Sequence, residues 1–327
     1  MAVPQRYLMV WIGTEFPYPC RLAAEAVLAN APEAELEIHV VGNPPTTPYF
    51  TEMFAPTAPD AARISLHRVD LDRLFEPPVR RVYERIPATA RSAQSNLVRL
   101  GLLHQRGGIY LDFDTLLLRP LHDLAPGAFV GLERVWRHDR QRVTSGLTPR
   151  MIAGATGWGI TWALKRGDSQ ALRGAARSAR WLRPIDDLFH VEQANNAVLG
   201  APAHSEFTEQ LLDASRFIDP TIRFALGPTL VHDTVAATPR LAKVLPPEVL
   251  YPVPPSESHR FFDDRYLALP PSAAIVHYVG SNHARTLASV TPGDRRFGRP
   301  TTFWQLGRMM DERRTNAVAR VGELERR

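Results

Sequence analysis

The feature that most constrains the fold is the alternation of strand and helix patterns in the first third of the sequence. Short apolar runs predict buried strands, and apolar residues at helical spacing predict the helices between them. Because parallel strands are joined by crossovers, this order predicts an α/β fold with a largely parallel sheet. The predicted strands occupy residues 6–13, 35–42, 62–70 and 109–114, and the predicted helices occupy residues 18–30 and 89–105.

Beyond residue 128 the alternation of strand and helix patterns becomes less regular. Strands are predicted at residues 128–133 and 272–280, with a helix over residues 206–215. The sequence is interpreted as one catalytic domain over residues 1–300, with an excursion near residues 130–225 on the acceptor side. A basic amphipathic helix is predicted for residues 301–327, which would pack on the domain or contact an anionic lipid surface or a partner.

Charge and cysteine content narrow the range of expected ligands and the expected cellular compartment. The net charge of +5 suits an anionic ligand or surface, but no aromatic residues alternate with the arginines, so nucleic-acid binding is not expected. Cys20 is the only cysteine, and no run reaches membrane-spanning length, which predicts a cytoplasmic protein. Only two of the 39 basic residues are lysine, Lys165 and Lys243, which suggests a bacterial genome rich in G and C.

Two aspartates follow the fourth predicted strand. Asp112 and Asp114 end the segment IYLDFD, and an extended backbone would place both side chains on one side. The carboxyl ends of parallel strands are where α/β sheets bind ligands. Paired carboxylates suit Mg²⁺ or Mn²⁺, which bridge phosphate oxygens. A pair of exposed turn aspartates is the alternative reading of this motif.

The preceding helix carries polar residues on its apolar face. Asn96 falls inside a stripe of alanine and leucine residues, and Arg99 lies on its rim. An amide and a guanidinium on a buried face need partners, and the next strand ends at the two aspartates. Arg99 is therefore expected either to face a ligand or to form an ion pair with Asp112 or Asp114.

Residues 92–121, SAQSNLVRLGLLHQRGGIYLDFDTLLLRPL, resemble the Asp-x-Asp region of glycosyltransferase family 32, the yeast-type mannosyltransferase family. They are also similar to the glucosylating domain of the large clostridial toxins. Weaker similarities to the family lie at VWIG (residues 10–13), at residues 195–213 and 227–231, and at IVHYVGSN (residues 275–282). The resemblance implies a GT-A fold, Rossmann-like, with a mixed central sheet and flanking helices.

The implied activity is a metal-dependent, anomer-retaining transfer of a hexose from a UDP- or GDP-sugar to a hydroxyl. The acceptor class stays open among a secondary metabolite, a glycan and a protein. The cofactor implied is Mn²⁺ or Mg²⁺. The roles implied by the resemblance are metal binding by Asp114, ribose or metal-shell contact by Asp112, a third ligand or diphosphate contact by His277, donor contact by Arg99, sugar contact by Asn96, base stacking by Trp11, phosphate contact by Ser281, and sugar or acceptor contact by Asn195 and Asn196.

The sequence departs from the family pattern at two positions. Asn96 stands where the family has Asp, and Asn282 stands where Trp follows the serine. These departures leave open a non-catalytic relative that binds nucleotide sugars. A dehalogenase-like phosphatase with Asp112 as its nucleophile is a second alternative, although Leu116 stands where that motif has Thr or Val. Glu133 and Glu192 are the carboxylates considered as a nucleophile or stabiliser.

Overall fold

The computed structural model describes residues 2–58, 60–136, 190–263, 266–292, 301–309 and 312. The chain divides into two compact units, one made of Met1–Glu133 with Ala194–Arg327 and the other of Arg134–Gln193. Residues 194–225 belong to the first unit, and the excursion expected near residues 130–225 stays a prediction. Residues 137–189 lie outside the described residues.

A seven-stranded mixed sheet forms the centre of the fold. Its strand order is β3-β2-β1-β4-β7-β6-β8. Strands β1 to β4 pair in parallel, whereas β7 runs antiparallel to β4. A separate antiparallel pair joins β5 to β9. The strands are β1 (Arg6–Ile12), β2 (Glu35–Val41), β3 (Ile64–Arg68), β4 (Gly108–Leu111), β5 (Thr115–Leu117), β6 (Phe129–Trp136), β7 (His190–Ala201), β8 (Lys243–Leu245) and β9 (Ile275–His277).

Helices cover the sheet and begin where local chemistry favours them. Pro77 and Pro78 occupy the first positions of a helix, where a missing N–H costs nothing. The long helix before β4 ends at Gly107, whose positive φ of 62° suits glycine. The helices described are α1 (Tyr18–Asn30), α2 (Pro48–Thr51), α3 (Leu71–Leu74), α4 (Pro77–Arg85), α5 (Arg91–Arg106), α6 (Glu206–Ser215), α7 (Leu230–Ala237), α8 (Pro247–Leu250), α9 (Ala284–Ala288) and α10 (302–309).

The sheet is buried on both faces, as is typical of parallel strands covered by helices. Along β1, Tyr7 and Met9 enter one apolar cluster with α1, while Leu8 and Val10 enter a second cluster with α5. Helix α5 is thus fixed against the sheet by its apolar face. Its polar residues are carried toward the edge at which β1 and β4 end.

The Asp-x-Asp segment differs from the sequence-based expectation. Strand β4 ends at Leu111, so Asp112 and Asp114 occupy a turn before β5 and are not part of a continuous extended run. The Thr115 hydroxyl and backbone N–H both donate to the Asp112 carbonyl, at 2.6 Å and 3.1 Å. The turn places the two carboxylates at the carboxyl edge of the sheet.

The described part of the C-terminal segment is a short helix. Residues 302–309 are helical, and Phe303, Trp304 and Leu306 are buried in the same cluster as α1. Apart from residue 312, the expected continuation over residues 310–327 lies outside the described residues. Among the described helices, none is long and apolar enough to cross a membrane.

Candidate active site

Asp112 is held by two donors. Arg99 Nη2 donates to Asp112 Oδ1 at 2.7 Å, and the Tyr110 hydroxyl donates to the same oxygen at 2.8 Å. Tyr110 lies two residues before Asp112 at the end of β4, so both side chains turn to one side. Burial raises the pKa of the Asp112 carboxyl and Asp114 raises it further, against the opposing effect of Arg99.

Arg99 is almost fully buried and acts mainly inside the protein. Besides its bond to Asp112, its Nη1 donates to the Asn196 carbonyl, and its guanidinium lies 4.4 Å from the centre of the Tyr110 ring. Only Nε is a buried donor without a protein partner. The ion pair with Asp112, one of the two expectations for Arg99, is present in the structure, and the donor contact expected for Arg99 stays a prediction.

Two amides extend the site along α5. Asn196 Nδ2 donates to Asn96 Oδ1 at 2.9 Å, which joins β7 to α5. The amide of Asn96 also lies against the backbone of Gly227, where an added Cβ would come within 2.6 Å of Asn96 Nδ2. The position that is Asp in the resembled family is thus an amide fixed between a second amide and a glycine.

Asp114 is bound from the far side of the site. The Gly280 backbone N–H donates to Asp114 Oδ2 at 2.9 Å, and His277 Nε2 lies 3.5 Å from the same oxygen. Burial alone would raise the pKa of Asp114, but His277 and the Gly280 N–H hold it below its ordinary value. Val279, with a positive φ of 50°, aims that N–H inward, a conformation that is costly for a β-branched residue.

His277 lies between two carboxylates. Its Nδ1 is 3.2 Å from Glu133 Oε1, and its Nε2 faces Asp114. Although burial opposes protonation, these two carboxylates raise the pKa of His277 well above its ordinary value. Asn195 donates to the other oxygen of Glu133. Both oxygens of Glu133 are therefore engaged, and it holds His277 in place; its role as a nucleophile or stabiliser stays a prediction.

The two aspartates fit a hard divalent cation. Their side chains are 27% and 29% exposed, so each carboxylate reaches solvent beside its protein partners. Within the described part of the chain no group of three or more acidic, His or Cys residues forms a ready-made metal cage. Magnesium and manganese sites on phosphates commonly use only one or two carboxylates, with the substrate completing the shell. The ring nitrogens of His277 face Asp114 and Glu133, and the role of third ligand or diphosphate contact expected for it stays a prediction.

The remaining predicted residues have different local surroundings. Trp11 packs edge-to-face on Phe16 and Phe113, with ring centres 4.9 Å and 5.4 Å away, and its indole N–H is buried without a partner. Ser281 and Asn282 are exposed in the turn after β9, where Asn282 Nδ2 reaches the Pro255 carbonyl at 3.5 Å. Glu192 is exposed on β7.

Sequence reasoning missed several residues that shape this site. Tyr110, Gly227 and Val279 were not singled out for a role, although each contacts or positions a predicted residue. The period-2 spacing of Tyr110 and Asp112 was the available signal for the first of them. The contacts of Gly227 and Val279 join distant parts of the chain, and no local pattern marks them.

A mixed sheet with flanking helices and an Asp-x-Asp turn at its carboxyl edge is the GT-A fold, as the sequence predicted. Residues 27–130 match the family described as "Glycosyltransferase sugar-binding region containing DXD motif". The match spans β2 to β4, the Arg99 helix and both aspartates. The resemblance inferred from the sequence is confirmed over this region, which is similar to the sugar-binding region of glycosyltransferases. The phosphatase interpretation of Asp112 does not fit this match.

Several solved glycosyltransferase structures are similar to this chain at low identity. The PaToxG glycosyltransferase is 13% identical, covering 94% of this chain and 87% of that one with a TM-score of 0.44. The UDP-bound glycosyltransferase domain of the YGT toxin is 11% identical over 74% and 79%, with a TM-score of 0.39. An active-site mutant of LgtC is 13% identical over 89% and 99%, with a TM-score of 0.44. No curated protein matches the chain.

Proposed function

We propose that the protein is a metal-dependent, anomer-retaining hexosyltransferase that uses a UDP- or GDP-sugar and a hydroxyl acceptor. The observation that carries this proposal is the Asp-x-Asp turn, in which Asp112 is fixed by Arg99 and Tyr110 and Asp114 by Gly280. This turn lies within the segment that matches the sugar-binding family. Both carboxylates are held at one edge of the sheet and remain partly open to solvent.

Asp114 and Asp112 would hold Mn²⁺ or Mg²⁺ against the donor diphosphate. When bound, the cation neutralises negative charge on the departing nucleoside diphosphate. Arg99 keeps Asp112 oriented by an ion pair that is almost closed to water. His277, placed between Asp114 and Glu133, keeps a positive charge beside the same edge. These contacts hold the carboxylates in place before the donor arrives.

The rest of the pocket would bind the base, phosphates and sugar. Trp11 would stack on the nucleotide base, and its unpartnered indole N–H would supply a donor. Asn96 and Asn196 are joined by a hydrogen bond and would face the hexose hydroxyls. Ser281 is exposed near Gly280 and would reach a phosphate oxygen. Asn195 holds Glu133, and we assign it a positioning role.

The proposal is tested by thermal shift with UDP- and GDP-sugars, each with and without Mn²⁺. A nucleotide-dependent rise in melting temperature that requires the metal supports it. The same rise should be absent in Asp114→Ala and retained in the control Asp123→Ala, a carboxylate in a short helical turn before β6. If no nucleotide shifts the melting point, or if Asp114→Ala behaves as the parent protein, the proposal fails.

Turnover separates an enzyme from a binding protein. Incubation with each donor that shifts the melting point should release the nucleoside diphosphate slowly by hydrolysis. Binding without release of any nucleotide would favour the non-catalytic alternative that Asn96 and Asn282 left open. The configuration of a transferred sugar, read by proton NMR, decides whether transfer is retaining.

A further inference from the structure

The segment between α6 and Gly227 exposes large apolar side chains. Phe217 is 89% exposed, Ile222 46% and Phe224 43%. We call residues 217–224 the Phe217 loop. Exposed apolar groups of this size are individually common, but three within eight residues concentrate exposed apolar surface in one segment.

The loop is fixed in place, so the exposure is built into the fold. Ile218 packs against the core cluster of α5, and Pro220 is buried. The Ile222 N–H donates to the Asp219 carbonyl at 3.3 Å, and the Ala225 N–H donates to the Ile222 carbonyl at 3.2 Å. Anchors thus alternate with the exposed side chains along the loop.

Phe224 is held in a conformation that a bulky residue rarely adopts. Its φ is 67°, in the left-handed region, and its carbonyl accepts the Gly227 N–H at 3.0 Å. Such strain persists where the surrounding structure or a function requires it. Here it directs an aromatic ring into solvent instead of into the adjacent core.

The loop also carries a cation that no described carboxylate pairs. The guanidinium of Arg223 lies 4.4 Å from the centre of the Phe224 ring. Among the neighbouring charges, Arg216 pairs with Glu76 and Asp213, whereas Asp219 keeps its negative charge and accepts from the N–H and hydroxyl of Thr221. The tip therefore presents Ile222, Arg223 and Phe224 as an apolar and cationic unit.

We infer that the Phe217 loop binds the surface of an anionic lipid bilayer. Aromatic and aliphatic side chains enter the boundary between headgroups and acyl chains, and a nearby arginine is attracted to anionic headgroups. Because Phe217 is 89% exposed, its side chain can enter the bilayer without losing contacts within the protein. The net charge of +5 also favours binding to an anionic surface.

The position of the loop connects this surface to the proposed site. Phe224 lies three residues before Gly227, which abuts Asn96. Binding through the loop would hold this edge of the pocket beside the lipid headgroups. On the proposed function, the acceptor hydroxyl would then be presented at a membrane surface.

The test is co-sedimentation of the full chain with vesicles, without donor or metal, so that it does not depend on transferase activity. Vesicles containing phosphatidylglycerol should bind the protein, and pure phosphatidylcholine vesicles should bind it less. Phe217→Ser/Ile222→Ser should lower the partition coefficient by about tenfold. Arg223→Gln should lower it by about fivefold on the anionic vesicles alone.

Matched controls are Leu66→Ser, an exposed apolar residue on β3, and Arg73→Gln, an exposed arginine on α3. Both should bind vesicles as the parent protein does. Circular dichroism and the melting temperature verify that each variant is folded. Absence of vesicle binding, or binding that the double variant leaves unchanged, would overturn the inference, even if metal-dependent nucleotide shifts support the proposed function.

Discussion

The side chains of Glu133 and His277 meet at 3.2 Å although they are 144 residues apart in the sequence. Glu133 also accepts from Asn195, so β6, β7 and β9 converge on one buried carboxylate. This relationship gives Glu133 a stabilising role, because it holds His277 beside Asp114.

Replacing Glu133 by Gln should lower the free energy of unfolding by about 1–3 kcal/mol, because His277 loses one of its two anionic partners in a buried site. Urea denaturation at neutral pH measures this. The matched control is Glu192→Gln, an exposed carboxylate on β7, which should change stability by less than about 0.5 kcal/mol. Equal stability of the two variants would contradict the proposed role of Glu133.

Replacing Gly227 by Ala should displace Asn96, since the new methyl group would approach its amide nitrogen to 2.6 Å. We expect weaker binding of nucleotide sugars with unchanged binding of the nucleoside diphosphates, because only the sugar side of the pocket is disturbed. Calorimetry with each ligand measures the difference. Gly127→Ala is the control, since its added Cβ meets nothing within 4 Å. Equal weakening for both kinds of ligand would show that Asn96 does not contact the sugar.

Restoring the acidic residue of the resembled family, Asn96→Asp, should strengthen sugar binding. The carboxylate can still accept from Asn196 Nδ2, now at 2.9 Å from Asn96 Oδ1, and adds a charged acceptor for a hydroxyl. An increase of about fivefold in affinity for a nucleotide sugar over its nucleoside diphosphate corresponds to about 1 kcal/mol. Asn282→Asp, at an exposed position, should not give this increase. A loss of sugar affinity in Asn96→Asp would instead mean that the amide suits this chain's own donor.

Acid stability should depend on Glu37, which is buried in β2. Burial alone would raise its pKa, but His39, Arg106 and Arg6 hold it at about 2 instead of its ordinary 4.5. Because the folded-state pKa is depressed, the stabilisation is present above about pH 4.5 and is lost as the pH falls toward 2. The contribution is on the order of 3 kcal/mol.

Glu37→Gln should therefore be less stable than the parent protein near neutral pH and should lose less stability on acidification. Melting temperatures of both proteins between pH 3 and 7 measure how far their difference in stability shrinks on acidification. Glu35→Gln, an exposed neighbour on the same strand, is the control. A difference in melting temperature between Glu37→Gln and the parent protein that stays constant across this pH range would contradict the proposed role of Glu37 in acid stability.

Much of the fold follows from local patterns that the sequence displays. The helix Tyr18–Asn30 has the predicted bounds, because its apolar spacing and the preceding Pro17 act locally. Strand β7 was not predicted, since residues 190–201 include polar side chains that are buried by partners elsewhere in the chain. Its two asparagines bond Glu133 and Asn96, which no local pattern indicates.

Individual residues of the site could be predicted from the sequence, but most of the contacts between them could not. The helix pattern placed Arg99 and Asn96 toward the aspartates, and the Asp112 ion pair is one of the two outcomes expected for Arg99. The extended backbone expected for Asp112 and Asp114 was wrong, because the hydrogen bonds of Thr115 bend the chain into a turn. The role of His277 depends on Glu133, whose approach is set only by tertiary packing.

The small β5–β9 ladder has a consequence for how activity arises during synthesis. Thr115 pairs with His277, and the Tyr278 N–H donates to the Asp114 carbonyl at 3.0 Å. The turn that carries both aspartates is therefore completed by residues that leave the ribosome much later. Closing so long a loop is slow compared with forming local helices. A nascent chain can build its first strands and α5 early, yet it acquires an assembled pocket only after residue 280 has emerged and docked.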